Sequence, residues 1–185
     1  ELQTQINEVT SPEKFYAVRS SGIDEDGGEA SFAGQFETFL YVRQQDILQK
    51  VKEVWKSAFS ERVLAYRKEQ GLDLKTGIAV IIQEMVDADV AGVGFGIHPT
   101  EGDRNAKVIS SVYGLGEGLV SGELDADTFV VKDGKVESQI AQKQFKFVQT
   151  FEGDGLTKTE VEKSKQEVAS LSESQVLEVA AVLDL

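Results

Sequence analysis

The chain has 185 residues, with 32 acidic and 19 basic side chains and a net charge of −13. A hydrophobic share of 41% is typical of a globular protein, whereas the charge predicts no basic face for nucleic acid or an anionic membrane. The absence of cysteine excludes disulfides, thiolate metal sites and cysteine catalysis. No apolar run approaches the roughly 18 residues that a membrane helix needs. We therefore expect a cytoplasmic globular protein without nucleic-acid or membrane partners.

The single histidine limits the chemistry further. A His-based catalytic triad or a multi-histidine zinc site cannot be built from His98 alone. Pro99 and Gly102 follow it closely and mark a turn. We therefore assign His98 a structural or solvent-facing role.

Two short strands and an acidic loop are predicted in the first 45 residues. After a polar, unpatterned start, residues 15–18 are a run of β-formers that ends at residues 19–22, Arg-Ser-Ser-Gly. Residues 24–34 are rich in small and acidic side chains and predict a mobile loop. Residues 36–42 predict the second strand. Arg19 is thereby predicted to lie at the end of a strand.

Residues 46–70 carry the clearest helical pattern. Their apolar residues recur at three- and four-residue steps, with charged residues between them. Asp46 suits the N-cap, and Gly71 suits the C′ position, where left-handed geometry is needed. We expect this stripe, with Trp55 in it, to be buried against a central sheet. Its members are Ile47, Leu48, Val51, Val54, Trp55, Ala58, Phe59, Val63 and Tyr66.

The second half of the chain predicts an antiparallel sheet. Residues 78–86 form a near-continuous apolar run with many β-branched side chains, which indicates a buried strand. Residues 132–135 contain Asp-Gly and predict a hairpin turn. Further strands are predicted at residues 91–97, 107–113, 128–131 and 136–148.

The C-terminal part predicts a loop and then a helix. Residues 152–170 are polar and weakly patterned, which favours a loop with one helical turn. Ser172 with Gln175 makes a capping box, and Leu171 with Val176 makes a hydrophobic staple. The sequence therefore predicts that a helix begins here.

Three positions could carry chemistry. Arg19, beside a loop with backbone N–H groups, could clamp an oxyanion or a phosphate, or it could be structural or solvated. Gly34 could bring N–H groups onto an anion and Thr38 could donate a hydroxyl, or both could belong to an ordinary loop-to-strand transition. The backbone of residues 83–86 could pair with a purine, or the segment could simply end a strand.

Two other features are assigned no site. Gly114, Gly116 and Gly118 have the spacing GxGxG rather than GxGxxG, and no Walker sequence occurs, so dinucleotide-binding and P-loop folds are rejected. Acidic pairs such as Asp125 and Asp127 are interpreted as mostly solvated loops in a chain of this charge.

Four stretches, in order and in register, resemble one family. They are residues 17–21 (AVRSS), 30–38 (ASFAGQFET), 80–95 (VIIQEMV and then AGVGF) and 113–127 (YGLGE, then VSG and Asp127). Together they resemble the nucleotide-binding domain of phosphoenolpyruvate synthase and pyruvate phosphate dikinase, which rifampin phosphotransferase shares. The resemblance covers nearly the whole chain.

The resemblance implies an α+β fold of the ATP-grasp type, in which antiparallel sheets with flanking helices hold ATP between two subdomains. Residues 1–185 are then expected to be a fragment of that domain, with residues 171–185 the start of a helix cut short by the end of the chain. The missing initiator Met and the abrupt end at Leu185 agree with this expectation.

The resemblance also implies site residues. Arg19 matches the family's phosphate-binding arginine and is the expected catalytic residue. The other expected cofactor-binding residues are Gly34 and Thr38, in the loop that closes over the phosphates, and Gln83, Glu84 and Val86, in the stretch that lines the adenine. The family's phosphate-gripping lysine, its metal-binding acidic residue and its glutamine–arginine pair are expected outside this chain. The ligands of Mg²⁺ are therefore expected elsewhere, and no metal ligand is assigned here.

The implied reaction moves the β-phosphoryl group of ATP to a carrier histidine on a separate domain, leaving AMP and phosphate. That histidine then phosphorylates pyruvate at a third domain, giving phosphoenolpyruvate. ATP and these two domains of the same full-length chain are the expected partners, and the fragment alone is expected to be inactive. His98 does not match the carrier histidine. The alternatives are an antibiotic (rifamycin-type) phosphotransferase and a non-catalytic regulatory module of the same fold.

Overall fold

The computed structural model describes residues 1–21, 36–71, 78–150 and 155–184. The described helices are α1 (Leu2–Val9), α2 (Ile47–Ser57), α3 (Glu61–Glu69), α4 (Glu117–Val120) and α5 (Glu173–Val182). The described strands are β1 (Phe15–Ser21), β2 (Thr38–Arg43), β3 (Ala79–Glu84), β4 (Val90–Phe95), β5 (Ala106–Tyr113), β6 (Asp127–Lys132), β7 (Lys135–Gln139), β8 (Phe145–Gln149) and β9 (Leu156–Glu160). The chain divides into a first unit, Glu1–Val86 with Gln149–Leu156, and a second unit, Asp87–Val148 with Thr157–Leu185.

The first unit is built on a three-stranded antiparallel sheet. Its order is β2-β1-β3, so β1 is central. One face of the sheet carries Tyr16 and Val18, which lie in one buried cluster with Ile47, Val51 and Val54 of α2. Because successive strand residues point to opposite faces, the residues between them lie on the other face. Burial of each of these α2 side chains stabilises the unit by roughly 1.5–3 kcal/mol.

The helix predicted over residues 46–70 is two helices. A 3-10 turn, Gln44–Asp46, leads into α2, and Asp46 makes no side-chain capping hydrogen bond. The helix breaks after Ser57, and α3 starts again because the Ser60 hydroxyl accepts the Val63 N–H as an N-cap. Gly71 has φ +67°, which confirms the left-handed residue predicted at the end of this segment.

The prediction that Trp55 is buried in the core is wrong. Its side chain is 42% exposed, and that of Phe59 is 58% exposed. Each helix residue turns the direction of its side chain by about 100°, so Trp55 lies beside the buried row of Val51 and Val54 rather than in it. Phe59 lies in the turn that follows α2. The predicted stripe was therefore too wide.

Four further element predictions need correction. The N-terminal residues predicted to be unpatterned form α1, whose Ile6 belongs to the buried cluster. Strand β1 continues to Ser21, so Arg19 lies inside a central strand and not at a strand end, because β2 and β3 both pair with it there. Strand β3 is the edge of its sheet and alternates between partly buried and exposed residues rather than being buried. Strand β9 occupies part of the predicted loop.

The second unit is built on a four-stranded antiparallel sheet of order β4-β5-β6-β7. Helix α5 covers one face of it, where Val176 and Ala180 are buried with Ile109 and Phe129. The capping box predicted at Ser172 is present at the start of α5. Strands β8 and β9 form a separate two-stranded sheet.

The hairpin predicted between β6 and β7 is confirmed. Asp133 and Gly134 both have positive φ, +51° and +71°, as a type I′ turn requires, and Lys132 pairs with Lys135 around it. The antiparallel sheets with flanking helices confirm the predicted α+β class and are consistent with a partial ATP-grasp-type domain. The assignment of the whole chain to one fragment of that domain stays a prediction. Within the described ranges, every helix is too short or too polar to cross a membrane.

Candidate functional site

The strand register brings three predicted site residues onto one face of the first sheet. Arg19 of β1 pairs directly with Thr38 of β2 and, on its other side, with Ile81 of β3. Gln83 pairs with Ala17, two residues before Arg19. Because directly paired residues share a face and every second residue returns to it, these side chains lie on the face opposite α2. We call this surface the open face and define it by Arg19, Thr38, Ile81 and Gln83.

The side chains of the open face are accessible. Arg19, Thr38 and Gln83 are all exposed, and Ile81 is 36% exposed. No carboxylate among the described residues lies within ion-pair distance of the Arg19 guanidinium. The acidic residues 24–26, which could pair with Arg19, lie outside the described residues, as does Gly34. The open face therefore offers a cation, a hydroxyl, an amide and an apolar side chain to a ligand.

The geometry of the open face suits an elongated ligand. Paired Cα atoms such as those of Arg19 and Thr38 are about 4.5–5.5 Å apart in antiparallel sheets. Gln83 lies two strands away from Thr38, about 10 Å across the sheet, and two residues further along it. A ligand with an anionic end at Arg19 and Thr38 could therefore place its other end near Gln83. A guanidinium and a hydroxyl side by side are groups that hydrogen-bond phosphate oxygens.

Glu84 does not belong to the open face. It pairs with Tyr16, which lies on the buried side of the sheet, and its carboxylate lies 2.7 Å from Lys14 Nζ. The hydrogen bond from Lys14 to this carboxylate raises the pKa of the Lys14 ammonium. The side chain of Glu84 thus already has a partner within the first unit, so any role in binding falls to its backbone.

Among the described residues, no strand pairs with the outer side of the backbone at the end of β3. The N–H of Met85 donates to the Phe15 carbonyl at 2.8 Å and therefore points towards β1. Successive residues of an extended strand direct their backbone groups to opposite sides, so those of Glu84 point to the outer edge of the sheet. Val86 follows the strand and is 75% exposed. This edge could pair with the hydrogen-bonding edge of a planar ring.

The glycine cluster of the second unit has a structural role. Gly114 has φ +73°, and a side chain at this position would collide with the Phe147 carbonyl oxygen. A Cβ on Gly118 would similarly meet Leu124 and Phe147. Helix α4 after this turn has only four residues, too few for a phosphate-binding helix. Close packing therefore requires these glycines, which agrees with the rejection of dinucleotide-binding and P-loop motifs.

His98 lies in the predicted turn after β4. Its Nδ1 accepts the N–H of Glu101 at 3.3 Å, and its carbonyl accepts the N–H of Gly102 at 2.8 Å. Both bonds close the turn. This geometry agrees with the structural role predicted for His98.

The prediction that Asp127 is solvated is wrong. Its side chain is 0% exposed and is hydrogen-bonded to Lys143 and Ser170. Burial alone would raise the pKa of its carboxyl group, but the hydrogen bonds from Lys143 and Ser170 outweigh burial and hold the pKa below its ordinary value. The one available signal was the alternation of strand β6, in which Asp127 shares its face with buried Phe129 and Val131.

The match to known proteins covers both units. The sequence of residues 1–185 matches the pyruvate phosphate dikinase AMP/ATP-binding domain. The chain belongs to this family. Among the described residues of this family member, no group of three or more His, Asp or Glu side chains could hold a metal ion.

The relatives of this AMP/ATP-binding domain include rifampicin phosphotransferases and phosphoenolpyruvate synthases. A rifampicin phosphotransferase from Streptomyces sp is 37% identical over 169 residues, which is 90% of this chain and 20% of the relative. A probable phosphoenolpyruvate synthase from Methanothermobacter thermautotrophicus is 40% identical over 172 residues, 90% of this chain and 25% of the relative. A phosphoenolpyruvate synthase from Aeropyrum pernix is 45% identical over 123 residues, 65% of this chain and 15% of the relative. The chain thus spans about a fifth of the length of such relatives.

Proposed function

We propose that this chain is the ATP-binding part of a multidomain phosphotransferase that passes a phosphoryl group from ATP to a carrier histidine on another domain. The family match over residues 1–185 carries this proposal. The pairing of Arg19 with Thr38 supports it, because a guanidinium and a hydroxyl on one face are suited to bind phosphate oxygens. Within the proposal, the β-phosphoryl group of ATP goes to the histidine, water takes up the γ-phosphoryl group as phosphate, and AMP leaves.

The proposal assigns a role to each residue of the site. Arg19 binds the phosphate chain and stabilises the charge that develops on it during transfer, which is how cations accelerate phosphoryl transfer. Gly34 and Thr38 belong to the loop and strand that cover the phosphates. Gln83, with the backbone of residues 84–86, borders the adenine. Mg²⁺ supplied with ATP would neutralise phosphate charge, and its protein ligands are expected outside residues 1–185.

Pyruvate is the proposed final acceptor, with phosphoenolpyruvate as the product. The similarity to phosphoenolpyruvate synthases supports this choice. A second candidate is a rifamycin-type antibiotic, because rifampicin phosphotransferases of comparable identity are also among the relatives. The acceptor contacts would lie on another domain, so both candidates use the same ATP site, and the fragment alone is expected to transfer no phosphoryl group.

The test uses the full-length protein and ATP labelled in either the β- or the γ-phosphoryl group. We expect label from the β-position to become bound to protein in an acid-labile, base-stable form, and label from the γ-position to appear as free phosphate. Addition of pyruvate or of rifampicin should then discharge the labelled protein, and the acceptor that does so identifies the product. Formation of ADP, or binding of ATP without any protein labelling, would contradict the proposal and favour a kinase of another type or a regulatory module.

A further inference from the structure

A charged pair is fully buried in the second unit. Lys143 Nζ lies 2.6 Å from Asp127 Oδ1, and the two residues are 2% and 0% exposed. Asp127 Oδ1 also accepts the Ala141 N–H at 2.9 Å, and Oδ2 accepts the N–H and the hydroxyl of Ser170, both at 2.7 Å. The Lys143 ammonium donates in addition to the Ala141 carbonyl at 2.9 Å and lies 5.7 Å from the centre of the Tyr113 ring. Both charges are thus satisfied inside the unit.

The pair joins three stretches of chain that are distant in sequence. Asp127 begins β6, Ala141 and Lys143 precede β8, and Ser170 lies just before α5. The Lys143 N–H also donates to the Gln166 carbonyl at 2.8 Å. The hydrogen bonds among Asp127, Ala141, Lys143 and Ser170 therefore hold two segments on the sheet of the second unit. These segments are the start of β8 and the residues just before α5.

The anchoring of β8 determines a close backbone contact four residues further on. Phe147 of β8 forms a bridge with Gly114, and its carbonyl accepts the Leu115 N–H at 3.0 Å. The Phe147 carbonyl lies so near Gly114 that no side chain would fit between them. A shift of β8 by one residue would turn its side chains to the opposite face and remove this carbonyl from Leu115.

Energetics indicate what the pair contributes. Removing two charges from water costs about as much as their attraction returns, so a buried ion pair seldom adds net stability. A wrong arrangement that leaves either charge buried without a partner is, in contrast, strongly disfavoured. The pair therefore discriminates between alternative packings more than it stabilises the correct one.

We propose that Asp127 and Lys143 form a register lock, a buried pair that specifies which residue of β8 meets the Gly114–Leu115 turn and where α5 starts. Its effect on the stability of the second unit is small, and its effect on the uniqueness of the packing is large. The role needs no nucleotide, so its test is independent of the proposed function.

The test compares amide hydrogen exchange in the full-length protein and in the double variant Asp127→Asn/Lys143→Met, which nearly preserves volume and removes both charges. We expect the melting temperature to change by only a few degrees and the exchange of residues 114–118 and 141–148 to accelerate about tenfold or more. The control is Asp103→Asn/Lys132→Met, because Lys132 Nζ and Asp103 Oδ2 are also 2.7 Å apart but lie at the surface. This control variant should change neither the melting temperature nor the exchange rates of residues 114–118 and 141–148.

Two outcomes would overturn the register lock. Wild-type exchange in the double variant would show that apolar packing alone sets the register. A large loss of melting temperature, with exchange accelerated equally throughout the second unit, would show that the pair is an ordinary stabilising contact. If the double variant does not fold, Ser170→Ala keeps both charges and removes the hydroxyl that hydrogen-bonds Asp127 and Ser111, and acceleration should be confined to residues 141–148, 166–171 and the neighbourhood of Ser111. Unchanged exchange there would equally reject the lock.

Discussion

Arg19 and Thr38 stand directly opposite each other on neighbouring antiparallel strands, with their side chains on the face of the sheet that α2 leaves uncovered. Nineteen positions separate them in sequence, yet the strand pairing holds their Cα atoms within about 5.5 Å. This pair is the centre of the proposed phosphate site. Its two members can be tested separately, because one carries charge and the other a neutral hydroxyl.

Arg19→Ala should lower AMP formation from ATP by the full-length protein roughly a hundredfold or more, because a cation on the developing phosphate charge is lost. Folding stability should stay nearly unchanged, since Arg19 is exposed. Arg43→Ala is the matched control: Arg43 is an exposed arginine of the same sheet, but it lies at the opposite end of β2 from Thr38, with its guanidinium over the Phe15 ring. Wild-type turnover of Arg19→Ala would end the assignment of Arg19 as a phosphate-binding residue.

Thr38→Val should raise the KM for ATP by about five- to tenfold, because it removes a hydrogen bond worth about 1 kcal/mol and keeps the shape of the side chain. Thr38→Ser keeps the hydroxyl and should stay within about twofold of the wild-type KM. Steady-state kinetics at saturating acceptor measure both variants. A larger rise in KM for Thr38→Ser than for Thr38→Val would indicate that the methyl group, not the hydroxyl, matters at this position.

Gln83→Leu and Glu84→Gln should differ in their effect on ATP affinity. Gln83 lies on the open face, so its loss should weaken ATP binding about tenfold. The Glu84 side chain contacts Lys14 on the other side of the sheet, so Glu84→Gln should leave ATP affinity within error of the wild type. Calorimetric titration with a non-hydrolysable ATP analogue measures both. A stronger effect from Glu84→Gln would place the adenine on a surface other than the one proposed.

Trp55→Ala should destabilise the first unit less than Ile47→Ala does. Ile47 is fully buried, and its truncation to alanine should lower the free energy of unfolding by about 2–5 kcal/mol. Trp55 is 42% exposed, so its truncation should lower the free energy of unfolding by only about 1–2 kcal/mol. Urea unfolding followed by circular dichroism compares the two variants. A larger loss of unfolding free energy for Trp55→Ala than for Ile47→Ala would contradict the half-exposed position of Trp55.

The stability of the second unit should depend on pH through Asp127. The pKa of this carboxyl group is depressed in the folded state, so its contribution is present above the unfolded value of about 3.9 and is lost as pH falls through the folded pKa. Lys143→Met leaves burial as the main influence on Asp127 and should raise its pKa above the ordinary value. The folded variant then binds a proton more readily than the unfolded chain does, so its stability relative to the wild type should increase as pH falls from 7 to 5.

Urea unfolding of the wild type and of Lys143→Met at several pH values measures how the difference between their free energies of unfolding changes with pH. Tyr113 and Ser111 line the same cluster and do not titrate between pH 5 and 7, so Asp127 is the group that responds. Parallel stability curves for the two proteins over that range would contradict the prediction.

Local patterns in the sequence were sufficient to predict elements whose determinants are neighbours in the chain. The Asp133-Gly134 turn, the Ser172 capping box and the left-handed Gly71 each depend on a few adjacent residues, and each is present. The Ser60 N-cap, which divides the long helix, is the same kind of signal and could have been found in the sequence.

Tertiary structure decided everything that depends on which surfaces meet. Pairing on both sides extended β1 past its apolar residues and placed Arg19 inside the sheet, because a central strand gains hydrogen bonds from two neighbours. The position of α2 on one face left Trp55 at the rim, and the packing of the second unit buried Asp127 with Lys143. Composition alone predicts a solvated aspartate in a chain of net charge −13, whereas a partner sixteen residues away, brought close by folding, makes its burial possible.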